Sequence, residues 1–292
     1  MHGDMTSISL DGAYPNTDDD YAAPRFGHPT DRRPDLTQVQ AGLAVAGDGG
    51  IPLLHRAYDG GAAEVSPVDA AMRALREIAG ERRFLLVGDS TLVSSTNLTA
   101  LTSTPGVEFL ATKHRVADYL VTAAATDPDS GKPTLTWHFD DEKIAAEVAT
   151  DGWYALLTNL ADTVGPAEIL RLYKGQEVVE RRYGAFKGPL AVTPMFLRSN
   201  QRIHALLHVI CLALLVFSLI ERQARLGAGP DGKIPGLYAG RPARPTGQLV
   251  LAALSQLRYV PAHGGAPAYI PRPGPLQQLL LDILGVDPTQ PP

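Results

Sequence analysis

Three stretches of this chain predict a mixed α/β fold with strands gathered early and helices late. Gln38 to Ala46 alternates Val39, Ala41, Leu43 and Val45 against Gln38, Gln40 and Gly42, and Gly47-Asp48-Gly49-Gly50 then turns the chain back along Ile51–Tyr58. That is the pattern of a β-hairpin. Phe84-Leu85-Leu86-Val87 is wholly apolar, as a central strand buried on both faces must be. Two helical stretches follow, about 166–186 and 200–225, and this order suggests a mixed sheet flanked by helices.

Taken in order, residues 4–13 read as an extended segment, with Met5, Ser7 and Ser9 on one face and Thr6, Ile8 and Leu10 on the other. Asp4 lies four residues from the start, where chains are expected to fray. Prolines 15, 24, 29 and 34 mark Tyr14–Asp35 as loop, and Asp18-Asp19-Asp20 reads as a solvated part of it. Ser66-Pro67 opens a helix by capping, with Val68, Met72, Leu75 and Ile78 as its apolar face. The Phe84–Val87 strand ends at Gly88-Asp89, which places a carboxylate at a strand's C-terminal edge, a usual site position in α/β sheets. Asp89 read alone is equally a helix N-cap. A further strand is expected over Trp153–Leu157, and residues 226–292 read as a Gly/Pro-rich tail with short helices near 248–257 and 276–284.

The 292 residues are 45% hydrophobic and 20% charged, enough for a substantial core. The one cysteine, Cys211, excludes an internal disulfide and a cysteine zinc cluster and fits a cytoplasmic setting. The N-terminus has neither the basic nor the apolar region of a signal peptide. Ile203–Ile220 is apolar but short for a membrane span and carries His204 and His208, so a buried helix is expected and no membrane partner. Those histidines, at i and i+4, have the spacing of a zinc pair but no evident third ligand, and read as core or interfacial. Net charge is −5, yet Arg171–Arg202 holds seven Arg or Lys against Glu177 and Glu180, a local surplus of five. A basic patch around a glutamate can hold a phosphodiester on an otherwise acidic protein.

On one continuous helix, Tyr173, Gln176, Glu180 and Lys187 would share a face, with Leu172, Val179 and Phe186 on a neighbouring one. A glutamate set among an aromatic ring, an amide and a lysine suits a metal ligand beside a phosphate, and Asp4 and Asp89 can complete a carboxylate triad with it. The competing reading of Glu180 is a solvated carboxylate paired to Arg181 or Lys187.

At these residues the chain resembles bacterial insertion-sequence transposases of the DDE type, in the subgroup marked by a Tyr-Arg-Glu-Lys motif. Tyr173, Gln176, Glu180 and Lys187 match its spacing, with glutamine in place of the arginine. Asp4-Met5-Thr6-Ser7 resembles the first Asp strand, and Val87-Gly88-Asp89-Ser90 the second Asp motif. Gly12-Ala13-Tyr14, residues 28–38 and residues 151–159 resemble the connecting segments. The resemblance implies an RNase H-like catalytic domain over 1–225 and metal-dependent DNA cleavage and strand transfer. It implies two Mg²⁺ (or Mn²⁺) ions on Asp4, Asp89 and Glu180, with Tyr173, Gln176, Lys187, Arg181 and Arg182 as DNA-phosphate contacts. Transposon ends and target DNA would be the partners, with a homodimer in the synaptic complex. The departures are Gln176, a short Asp89–Glu180 spacing, and an Asp4 so near the start that the first strand is expected to be truncated. The alternative expectation is a catalytically dead transposase remnant with weak DNA binding.

Overall fold

The structure, a computed structural model, describes all residues except 13, 15–17, 28–32, 34, 62–67, 113–119, 127–132, 149–152, 154, 189, 191–196 and 292. The chain forms two compact units, Met1–Gly80 with Lys174–Pro292, and Glu81–Tyr173. These divisions differ from the 225/226 boundary expected from sequence.

In the first unit β1 (His2–Leu10), β2 (Thr37–Val45) and β3 (Pro52–Asp59) form an antiparallel run with β2 in the middle. The β1–β2 ladder is unbroken from His2↔Val45 to Leu10↔Thr37 and pairs Asp4 with Leu43. The expected fraying at Asp4 is therefore corrected: a partner strand ties the terminus down. The hairpin closes through Ala46 N–H to the Ile51 carbonyl, and Gly49 and Gly50 supply the positive φ values of 76° and 60° that the reversal needs. Gln38 and Gln40, which alternate with the apolar residues of the strand, are also buried, and Gln38 Nε2 donates to the Gly60 carbonyl at 2.9 Å. β2 is thus central and buried on both faces.

α1 (Val68–Ala79) follows; Met72, Leu75 and Ala79 are its buried side chains, whereas Ile78 is half exposed. Its expected Ser66-Pro67 cap lies outside the described residues.

The second unit begins with β4 (Phe84–Gly88), as expected, then a short 3-10 helix, Ser90–Val93, and α2 (Ser95–Ser103). β5 (Val107–Thr112) runs parallel to β4. β6 (Leu120–Thr126) and β7 (Pro133–Phe139) form a separate antiparallel pair, followed by α3 (Asp141–Val148). None of these elements after β4 was legible in the sequence. The strand expected at Trp153–Leu157 is instead the three-residue β8 (Leu156–Thr158), antiparallel to β5. Trp153 is outside it and exposed, and Asn159 fixes its end, accepting from Phe109 N–H and donating to the Val107 carbonyl.

The largest correction concerns the long helix. The stretch is two helices, α4 (Pro166–Lys174) and α5 (Glu177–Lys187), parted at Gly175-Gln176. Glycine costs a helix interior about 1 kcal/mol relative to alanine. Here the ladder drops to tight i to i+3 bonds, Val178 N–H to Gly175 O and Val179 N–H to Gln176 O. Tyr173 and Glu180 therefore do not share a helix face.

α5 packs on β1 and β2, and α6 (Asn200–Leu226) on β3. Their common core joins Ile8, Val39, Leu43, Val179, Phe186 and Leu214 with their neighbours. Ser199 caps α6, its hydroxyl accepting from Arg202 N–H. By length and composition α6 could cross a membrane, but Ile203, Leu207, Ile210, Cys211, Leu214 and Phe217 turn one face into that core. Val209, Leu212, Val216 and Leu219 lie exposed on the other.

The C-terminal stretch is more ordered than a tail. β9 (Ile234–Tyr238) and β10 (Arg241–Ala243) pair antiparallel, and α7 (Gly247–Leu254) and α8 (Pro275–Leu284) close over them. Ala224, Ile234, Leu237, Val250 and Leu280 form a second core there.

Candidate functional site

Asp4 stands on β1 on the same face as Thr6, Ile8 and Leu10, the face that α5 covers. Ile8 and Leu10 seal the far end of that face, while Asp4 stays half buried. Its Oδ1 accepts from Met5 N–H at 2.7 Å. Tyr183 of α5 donates its hydroxyl to the Asp4 backbone carbonyl at 2.6 Å, with the Ala41 carbonyl at 3.0 Å as the second acceptor of that single proton. Burial, then the Asp4 charge, push the Tyr183 phenol well above its ordinary range, so it remains a donor.

Glu180 is exposed on α5 one turn before Tyr183, so the helix that anchors the Asp4 backbone also carries Glu180. Lys187 lies half buried in the last turn of α5, where the helix dipole favours a cation. Gln176 is the N-cap of α5 and makes no side-chain capping bond. Tyr173, half buried, is the penultimate residue of α4 and the last of the second unit. Asp89 also belongs to the second unit, half buried just after β4, its carbonyl accepting from Leu92 N–H at 3.4 Å. Asp4 and Glu180 thus belong to the first unit and Asp89 to the second.

The two arginines expected on phosphate have different fates. Arg181 is half exposed and pairs with Glu177 at 2.9 Å rather than with Glu180. Arg182 is buried: Nε donates to the Gly50 carbonyl at 2.8 Å, and Nη2 to Glu221 at 2.9 Å and to the Gly49 carbonyl. A guanidinium so engaged is a strut for the hairpin turn, which corrects its assignment as a phosphate contact.

Carboxylate oxygens are the donors a hard divalent ion takes. Among the described residues, no group of three or more His, Cys, Asp or Glu gathers closely enough to hold a metal ion. Of the two histidines expected in the core or at an interface, His208 meets β3, with His55 Nε2 and His208 Nδ1 2.9 Å apart, and His204 meets Tyr21 edge to face. Gly12 and Tyr14 of the family-like segments are described, but Ala13, residues 28–32 and residues 151–152 lie outside the described set.

Sequence reasoning missed Tyr183 and Glu221. Tyr183 carried a usable signal, since it follows Glu180 by three positions and so rises from the same side of the helix. Glu221, the first acid in an apolar helix after the twenty-one residues Asn200–Ile220 without one, was the other.

No protein-family model matches the sequence, and no curated protein does. Among solved structures, the chain is similar to a piggyBac transposase determined by cryo-EM as a synaptic complex with hairpin DNA. The likeness has a TM-score of 0.42 at 9% identity and covers 78% of this chain and 48% of that one. The chain therefore spans about half the length of that transposase.

Proposed function

We propose that this protein is a DDE-type transposase by lineage, cutting and joining DNA through Asp4, Asp89 and Glu180. The observation that carries the reading is the placement of Asp4: a strand paired along its whole length holds it, under the helix that bears Glu180. The sequence motifs around Asp4, Asp89 and Lys187 supply the rest of the support.

Asp4, Asp89 and Glu180 are the donor type that a hard divalent ion such as Mg²⁺ or Mn²⁺ takes, but they do not gather into a metal site as folded here, and no step is assigned to an ion. The chain's own contribution is positioning. Lys187, with Gln176 and Tyr173, would hold the scissile phosphate, and Arg181 would reach an adjoining one once released from Glu177. Glutamine in the arginine position leaves a hydrogen bond there without a fixed charge. DNA ends and target DNA are the proposed partners, and a second copy would complete a synaptic pair.

Metal-dependent nicking of supercoiled plasmid tests this. The native chain should nick with Mg²⁺ or Mn²⁺, and Asp4→Asn, Asp89→Asn and Glu180→Gln should each abolish it while remaining folded. Nicking that survives all three substitutions, or none from a folded native chain, would remove the catalytic reading.

A further inference from the structure

The first unit contains a cavity of about 300 Å³ bounded by the hairpin turn at Gly47–Gly49, α5, the end of α6 and Arg244 beyond β10. Five arginines line it, Arg181, Arg182, Arg222, Arg225 and Arg244, against two carboxylates, Asp48 and Glu221. The lining therefore carries a surplus of three positive charges.

Neither carboxylate is left to answer that surplus. Glu221 is buried and already takes Arg182 at 2.9 Å, Arg225 at 3.0 Å and the Gly247 N–H at 2.9 Å. Asp48, at the turn, takes Arg222 Nε at 2.9 Å. Arg181 is paired to Glu177 from outside the lining. The crowding has an electrostatic trace. Burial pulls the Arg225 guanidinium below its ordinary range, and Arg244, Arg182 and Arg181 push the same way against Glu221.

Guanidinium groups facing a common solvent-open space repel one another unless an anion lies among them. Their planar forks match the paired oxygens of a carboxylate or a phosphate, and a cluster of positive charge favours the more highly charged phosphate. We infer that this cavity is a binding site for a phosphate-class oxyanion, presented either by a nucleic-acid backbone or by a free phosphorylated small molecule. Arg222, Arg225 and Arg244 are the groups that meet it, and Arg182 braces the wall. The site uses none of Asp4, Asp89 and Glu180, so it stands or falls apart from the transposase reading.

The test is binding of inorganic pyrophosphate by calorimetry and of a fluorescent DNA duplex by anisotropy. It compares the full-length chain, Arg222→Ala/Arg244→Ala, and the charge-matched control Arg258→Ala/Arg272→Ala. Removing two charge-assisted contacts should weaken the true ligand by about tenfold or more, with the control unchanged. Loss of both pyrophosphate and duplex binding in the site variant assigns the site to nucleic-acid phosphates. Loss of pyrophosphate alone assigns it to a small phosphorylated ligand. Equal binding of both probes by the native chain and the site variant overturns the inference. Arg244→Ala alone, at an exposed position, provides the comparison should the double variant fail to fold. Plasmid nicking is read separately, and its absence leaves these outcomes intact.

Discussion

Tyr183 donates to the Asp4 carbonyl at 2.6 Å, so a phenol from α5 grips the backbone of β1. The bond reaches across 179 residues of sequence and joins a buried phenol to a half-buried residue. Two candidate carboxylates thereby depend on one hydroxyl for their common footing.

Tyr183→Phe should therefore destabilise the protein by about 1–2 kcal/mol, the cost of leaving two buried carbonyls short of a donor. Urea unfolding would read that loss. Metal-dependent nicking should fall more steeply than the stability change explains, because Asp4 loses its fixed position. Unchanged urea midpoints would show that the hydroxyl carries no load.

The Arg182–Glu221 pair offers a second test. Both side chains are less than 10% exposed, and removing one partner strands the other's charge. Glu221→Ala or Arg182→Ala should each cost about 3–5 kcal/mol. Arg182→Ala with Glu221→Ala should cost less than the two single changes added together, a coupling that a double-mutant cycle measures directly.

Gly50 is constrained twice. Its φ is +60°, and a Cβ built there would lie 2.5 Å from Val178 and 2.8 Å from Arg182 Nε. Gly50→Ala should lower stability by about 1–3 kcal/mol through backbone strain and a wall that must shift. Gly80, also at φ +60° but with open space where a Cβ would go, is the comparison that isolates the strain. Equal losses at both positions would show that the contact with Arg182 contributes nothing.

Acid should weaken the fold. Burial, then the N-terminal charge, lower His2 from 6.5 to about 4. Burial, then His208 and His204, lower His55. A histidine kept neutral in the folded state binds its proton first on unfolding, so stability is fully present above about pH 6.5 and declines as the pH falls towards 4. Urea midpoints at pH 7 and pH 4.5 should separate clearly, and His2→Asn/His55→Gln should narrow the gap. An equal gap in that variant would assign the acid sensitivity to other groups.

The hairpin, β4 and α6 were legible because each announces itself locally, through alternation around a glycine turn, an unbroken apolar run or a capped apolar stretch. The β6–β7 pair was not: Leu120-Val121-Thr122-Ala123-Ala124-Ala125 has no clear period in hydrophobicity, so only cross-strand pairing defines it. The α4–α5 break shows the opposite failure. Seven-residue repetition of Leu172, Val179 and Phe186 suggested one helix, while the weak glycine in its middle decided the matter. At the candidate site, motif spacing nominated the residues. The supports, Tyr183 beneath Asp4 and Glu221 behind Arg182, join positions far apart in sequence and emerge only on folding.

Glu221 has one more consequence. Its two oxygens fasten the Gly247 amide at one end and, through Arg182, the Gly49–Gly50 turn at the other. The final stretch is therefore a buttress for the chain's first hairpin, not an appendage to it. A stop codon ahead of Gly247 would remove that amide and loosen a turn that lies far earlier in the sequence. Hydrogen exchange at Gly49–Ile51 in a chain ending at Arg244 should rise, and unchanged exchange there would show that the two ends are independent.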